Sequence, residues 1–480
     1  MPALLPKDTR ELLSRHSQLP DGRSVLFDRF AAPDAKEEDR CQWFKRVADK
    51  TANSAKAKAW PEIISRLDST PLFAQLRSRL MVNMAGGVME NAGLCLDRFG
   101  MPYIPGSAVK GCARRMATQQ LLETEGAQAK ADLLFRLALI FGWGDTDWKA
   151  GRKRKRHNGR QVETEPYSDF WWAMAQDSGD HSADAARHQL WREVAVSVAT
   201  RLLDRLNVRV RKHPNEPWND LPNFAGTVSF LPAYPVDLGQ TGKVQGLPLE
   251  VPRLGTLELD VVTCHHPEYY RGDRQVATDT EDPNPVVFPA VAPGHVFAFA
   301  LAPLRGAGND LLTQARTWLA QGLETFGLGA KTNAGYGWFD CSDEIQTAVN
   351  DQLKKKAAAE EKRRREEEER QKAKAAEEER LRKKRELEAK LKDLTPEQQE
   401  DYKLDQMSED QLKNHLLNYS KLSELQQAAV YRLLKDRRPD LWRNLRQLSE
   451  TGKQKERKRW SPLVQDMFKR AKQKNEKMPK

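Results

Sequence analysis

The stretch 354–392 constrains this chain more than any other. Of its 39 residues 28 are charged, 17 basic and 11 acidic, and it holds neither Gly nor Pro. Such a segment has no apolar face to bury, so it stays outside any core and divides the chain. Eight of its eleven glutamates have Lys or Arg four residues later, as in Glu361–Arg365 and Glu379–Lys383. At ~0.2–0.5 kcal/mol per pair, they bias an exposed segment toward helix. Leu381, Leu387 and Leu391 hold no heptad, so the spacing predicts a solvated single helix rather than a coiled coil.

The division reads as a globular body over 1–349, a charged helical linker over 350–393, a small helical module over 394–447 and a basic tail over 448–480. Within the module, Thr395-Pro396-Glu397 marks a helix start. Ser408 with Gln411 fits a capping box. Leu412, Leu416, Leu417, Leu422, Leu425, Val430, Leu433 and Leu434 recur at helical spacing. No catalytic constellation falls in the module, and a protein partner is its expected ligand.

The net charge of +11 is local. Residues 149–160, with Lys153, Arg154, Lys155 and Arg156 at their centre, carry seven Lys/Arg and no acid, and 453–480 carry eleven against three. Two such patches suit a polyanion such as nucleic acid, or are solvated loop and tail. No apolar run approaches the ~18 residues of a membrane span. The first residues lack the apolar region of a signal peptide. Cys41, Cys95, Cys112, Cys264 and Cys341 form no Cys-x-x-Cys pair. A reducing cytoplasm is the expected setting, without structural zinc.

In the body, two helices adjoin glycine-containing turns. After Pro105-Gly106, Ser107 reads as an N-cap, and the following helix aligns Lys110, Arg114 and Thr118, with Arg115 beside them. A helix N-terminus beside cations suits an anion; the plainer reading is an amphipathic helix with a solvated basic face. The second helix spans about 310–326, with Leu311, Ala315, Leu319 and Leu323 in its stripe and Gly327 at its end. In the loop 327–339, Gly327, Gly329, Gly335 and Gly337 permit positive φ. Lys331, Thr332, Asn333 and Tyr336 offer donors and a ring, and a strand is expected from Tyr336. The loop is no P-loop, because Ala330 separates Gly329 from Lys331 and the order is helix, loop, strand. Strands are expected at 224–236, 257–264, 285–291 and 295–301. Together these elements fit an α+β, ferredoxin-like sheet.

At this point four motifs resemble a known family. The loop GLGAKTNAGYGWF and the segment IPGSAVKGCAR (104–114) resemble the signature loop and early helix of the RAMP superfamily of CRISPR proteins. GTVSFLPAYP (226–235) and DVVTCHHPEYY with DTEDPNPVVFPAV (260–291) are similar to the RAMP-type subunit in sixth place in the type III-B Cmr complex. The resemblance implies a ferredoxin-like (RRM-like) core and a non-catalytic, RNA-binding structural subunit, without cofactor or metal. That subunit caps the complex near the 3′ end of the guide RNA in antiviral defence. The implied partners are CRISPR guide RNA, target RNA and other RAMP-type subunits. Carried over, the RNA-binding residues are Lys110, Arg114 and the loop from Lys331 to Gly337; the basic insert and everything after 350 lie outside the family pattern. His265, His266, Tyr269 and Tyr270 either pack a turn or stack a base. Two rival readings stay open. One is a metal-independent guide-processing endoribonuclease with His265 or His266 as base and Lys331 stabilising charge. The other is a protein-interaction scaffold. Asp97, Asp145 and Asp147 have a spacing that defines no metal site.

Overall fold

The computed structural model describes residues 11, 22–29, 37–67, 71–83, 94–148, 154–157, 160–163, 168–174, 182–209, 212–278, 284–304, 306–392 and 394–479. It divides into two compact units, Met1–Ala359 and Glu360–Lys480. The elements that position the site are, in chain order, β1 (Leu72–Leu76), α1 (Gly106–Glu123), α2 (Ala127–Phe141), β2 (Tyr234–Pro235), β3 (Leu257–Cys264), β4 (Asn284–Val291), β5 (Val296–Phe299), α3 (Asn309–Thr325), β6 (Phe339–Asp340) and α4 (Asp343–Lys392).

Four of these strands form one sheet in the order β6-β1-β5-β2. Neighbours are antiparallel, in register at Gln75↔Asp340, Leu72↔Phe299 and Phe297↔Pro235. Strands β1 (LFAQL) and β5 (VFAF) are buried along their whole length, which a near-continuous apolar run permits when both faces are covered. Alternation divides their side chains between two layers. Leu72, Ala74, Leu76, Phe297 and Phe299 share a core with Val109, Leu121, Leu134 and Leu319 of the helices. Phe73, Val296 and Ala298 face the other way, with Tyr234, Ile345 and Val349. Helices α1 and α3 approach closely: a Cβ on Gly322 would lie 2.9 Å from the Cys112 carbonyl.

Strands β3 and β4 pair over their full length, from Leu257↔Val291 to Cys264↔Asn284. The base of this hairpin joins the body through Leu80↔Val291. Burial fades outward: Leu257 is buried, whereas Val261 and Val262 are exposed.

Several sequence expectations shift. The strand expected at 224–236 is three short pieces, Phe224–Ala225, Val228–Phe230 and Tyr234–Pro235. A Cβ on Gly226 would lie 2.1 Å from the Ile140 carbonyl, so a close backbone approach interrupts the run. The expected 295–301 strand divides into Val296–Phe299 and Leu301–Pro303, and the strand after the glycine-rich loop begins only at Phe339. Ser107 is not the cap of α1. The helix starts at Gly106, with Pro105 in the N-cap position and no side-chain cap. A Cβ at Gly106 would meet the Phe230 carbonyl at 2.3 Å, so the helix start abuts protein backbone.

The charged helix also differs in detail. Its first turns belong to the body, which therefore extends past 349. Ile345 and Val349 are fully buried. The Gln346 side chain exchanges hydrogen bonds with the Phe73 backbone, and Gln352 donates to the Leu238 carbonyl at 3.1 Å. Lys356 pairs with Asp237 at 3.2 Å. Of the eight expected Glu-to-base pairs, Glu361–Arg365 and Glu379–Lys383 lie within 4.0 Å. Four other glutamates take the base four residues earlier, as in Arg364–Glu368. Each of those four acids has a base four residues away on either side.

In the second unit, capping boxes open three helices, at Thr395/Gln398, Ser408/Gln411 and Ser423/Gln426. Leu412, Leu416, Val430, Leu434, Trp442 and Leu445 build its core, while Leu425 is exposed. The segment expected as a basic tail is not one. Helix Gln454–Gln473 buries Trp460, Leu463, Val464, Met467 and Ala471, and the Trp442 indole N–H donates to the Pro479 carbonyl at 3.0 Å. The surplus of Lys and Arg in the sequence hides an apolar stripe at i, i+3, i+4, i+7.

Candidate nucleic-acid interface

The glycine-rich loop lies directly against the base of the β3–β4 hairpin. Gly327, Gly329, Gly335 and Gly337 have φ of 67°, 103°, 91° and 69°. Gly327, Gly329 and Gly337 are also sterically required, the last two most severely. A Cβ on Gly329 would sit 2.2 Å from the Met81 carbonyl, and one on Gly337 would sit 1.9 Å from that of Leu328. Lys331 itself adopts a left-handed φ of 57°. The backbone N–H groups of Leu328, Ala330, Ala334, Gly335, Tyr336, Gly337 and Trp338 all donate to groups of this chain. The loop's N–H groups are thus largely engaged within the loop and with residues 78–81.

Its side chains are likewise placed by the hairpin. The Tyr336 hydroxyl donates to the Asp260 carboxylate at 2.6 Å, and its ring lies 6.0 Å from that of Phe288. Burial and then the Asp260 hydrogen bond push the phenol up to about 12. Arg79 reaches Glu258 at 2.9 Å and Asp260 at 3.0 Å. Burial opposes ionisation of Asp260, yet Tyr336, the Val261 N–H and Arg79 hold its carboxyl below the usual range. Lys331 stands over the Phe288 ring at 5.6 Å, and among the described residues no carboxylate lies within 4.0 Å of it. Thr332 accepts the Trp338 indole N–H on its carbonyl at 3.0 Å, and Asn333 is exposed.

The early helix divides its cations. Lys110 turns inward and donates to the Phe141 carbonyl at 2.7 Å, closing the end of α2; burial lowers its pKa. Arg114 bridges Asp147 at 3.1 Å and Asp169 at 2.9 Å and covers the Phe170 ring. Burial raises the Asp147 pKa, with the Gly144 N–H and Arg114 pulling the other way. Arg115 lies 4.2 Å over the Phe326 ring. Beside them opens a groove of about 440 Å³, lined by Arg114, Arg115, Thr118, Trp172 and Phe326 among others. Trp172 is 49% exposed there.

Two sequence motifs distant in the chain therefore meet. Arg115 touches Phe326, and the Cys112 thiol points at the Gly327 carbonyl, 3.7 Å away. His265 and His266 are not brought to Lys331. They lie beyond Cys264, four residues along the strand from Asp260, or about 13 Å at ~3.3 Å per residue. His265, Tyr269 and Tyr270 are exposed at that tip, and the two tyrosine rings meet edge to face at 5.5 Å. The Nδ1 of His266 is buried without a partner among the described residues. Lys153 lies outside the described residues. The backbone of Arg154, Lys155 and Arg156 pairs with that of residues 161–163 in a hairpin. Among the described residues no cluster of His, Cys, Asp or Glu is arranged for a metal ion. Arg79, Asp260, Phe288, Trp172 and Phe326 were not singled out from sequence for the site, because their partners lie far away in the chain and no local spacing marks them.

A sequence match adds a resemblance of the same kind as the four motifs. The chain is similar to CRISPR system Cmr subunit Cmr6 of Pyrococcus furiosus, 26% identical over 267 residues, which are 54% of this chain and 64% of that relative. The match thus spans less than two thirds of the relative's length. The crystal structure of Cmr6 from Pyrococcus furiosus is 19% identical, with 57% of this chain and 98% of that one covered and a TM-score of 0.26. The sequence match, not the superposition, carries the resemblance. No family model matches the chain.

Proposed function

We propose that this chain is a non-catalytic, RNA-binding structural subunit of a type III-B Cmr effector complex, seated near the 3′ end of the guide RNA. The observation that carries the reading is the Cmr6 match over 267 residues, to which the four motifs add their order. A ferredoxin-like core belongs to this proposal. What supports it is the succession β1-α1-β2-β5-α3-β6 with β6-β1-β5-β2 as the sheet order, the connectivity of a split βαβ fold. We assign guide RNA to the groove of Arg115, Trp172 and Phe326 and to Lys331 above Phe288. A guanidinium on a ring and an exposed indole offer stacking planes, and an ammonium offers a phosphate contact. The neighbouring subunits and target RNA are partners in this reading, and the setting is cytoplasmic. No described helix is long and apolar enough to cross a membrane.

The non-catalytic reading is supported by geometry: His265 and His266, the base of the rival reading, lie beyond the end of the strand at Cys264, whereas Lys331, its charge stabiliser, stands over Phe288 at mid-hairpin. Isolated protein should leave single-stranded RNA intact with or without divalent metal. Specific cleavage abolished by His265→Ala or His266→Ala would replace this reading with the endoribonuclease. Arg115→Glu should weaken guide RNA binding about tenfold or more; unchanged binding would remove the groove from the RNA path.

A further inference from the structure

A row of cations, unpaired among the described residues, lies outside that site on the second unit. In helix Gln454–Gln473, Lys455, Lys458, Lys469 and Lys472 are exposed. At ~100° per residue they fall within an arc of about 100°, opposite the buried Trp460, Leu463, Val464 and Met467. From Lys455 to Lys472 the row is about 25 Å long at ~1.5 Å per residue. The helix has two acids, and both are occupied. Glu456 accepts from the Lys453 backbone N–H at 3.0 Å, and Asp466 is held by Tyr419 and by Arg470 at 2.7 Å. Glu476, beyond the helix, is bound by Lys435 and Tyr431. Among the described residues no carboxylate lies within 4.0 Å of the four lysines. Some surface cations elsewhere on this unit are paired, as in Lys403–Glu400, Lys413–Glu409 and Arg446–Glu450.

A second observation borders the row. Phe468, four residues before Lys472, is 43% exposed. Its ring rests edge to face on Trp442 at 5.5 Å, and the Arg446 guanidinium lies 5.5 Å above it. A half-open ring held by an indole beneath and next to a cation is a stacking platform.

We propose that this face is a second RNA-binding site, taking single-stranded RNA with phosphates along the lysine row and a base on Phe468. A duplex would use the lysines but keep its bases stacked and paired, leaving Phe468 without a role. An acidic protein surface would likewise match the charge and not the ring. The face lies on a different unit from the groove and loop assigned to guide RNA, so either site can fail alone.

The test uses the full chain and a labelled 15-nucleotide oligo(U), titrated over a salt series. The variant K455Q/K458Q/K469Q/K472Q should bind at least tenfold more weakly at 100 mM salt. Its slope of log K against log salt should fall by up to about 3, at ~0.7 per contact on single strands. Phe468→Ala should lose about fivefold or more with the slope unchanged. Phe468→Leu, which keeps volume over Trp442, should lose as much and decides the matter if the alanine variant melts early. R365Q/K383Q, two paired cations of the long helix, should stay within twofold of wild type. Wild-type affinity in the quadruple variant would overturn the proposal, as would an equal loss in the paired control. Silent Phe468 variants together with equal competition by duplex RNA would also overturn it, leaving an electrostatic surface without a single-strand site.

Discussion

Single residues in this chain are spent in ways their type alone does not announce. His295 is fully buried, donating from Nδ1 to the Ala292 carbonyl at 2.7 Å and accepting the Gly255 N–H on Nε2 at 3.0 Å. Burial is the main reason its pKa falls to about 4 from 6.5. The unfolded chain protonates this imidazole below pH 6.5, while the folded one stays neutral until about 4. Its stabilisation is therefore complete above the upper value and lost as pH falls through that window, at about 3 kcal/mol in all. His295→Gln can keep both hydrogen bonds without titrating. Its unfolding free energy should be flatter between pH 7 and 4 than wild type; parallel curves would contradict the assignment. The glycines of the loop separate by the same kind of accounting. Gly337→Ala meets backbone at 1.9 Å and should cost several kcal/mol. Gly335 has open space around it and only its φ of 91° against a side chain, so Gly335→Ala should cost about 1 kcal/mol. Urea titration of both variants orders them, and equal losses would mean the loop relaxes.

At the scale of elements, what repeats locally could be read ahead. The helix from Asn309 was visible in Leu311, Ala315, Leu319 and Leu323, and the Thr395 and Ser408 starts were visible in their capping residues. What long-range packing decides could not. The charged helix lacks a heptad, yet its first turns are core because Ile345 and Val349 join a cluster with the strand residues Phe73, Tyr234, Val296 and Ala298. Helix Gln454–Gln473 was hidden by its own cations. The Arg79–Asp260–Tyr336 cluster joins three segments that no spacing connects. The boundary follows from the same contacts. A chain ending at Ala359 should keep a cooperative melt. One ending at Val349 loses the Gln352 and Lys356 hydrogen bonds and the Lys356–Asp237 pair, and should be weaker by about 1–3 kcal/mol. Equal melting temperatures would return the boundary to 349.

On the scale of the whole molecule, an α+β body similar to Cmr6 carries an all-helical unit, linked by a helix that belongs to both. In the proposed reading the groove and loop of the body hold RNA, and the second unit adds a lysine face of its own. The most direct test of the RNA-guided assignment is affinity purification of the tagged chain from its native host, with sequencing of the copurified RNA and identification of the proteins. The account predicts short guide RNAs, held with several other RAMP-type subunits and recovered intact. A chain that purifies alone, or with proteins but no small RNA, would contradict it.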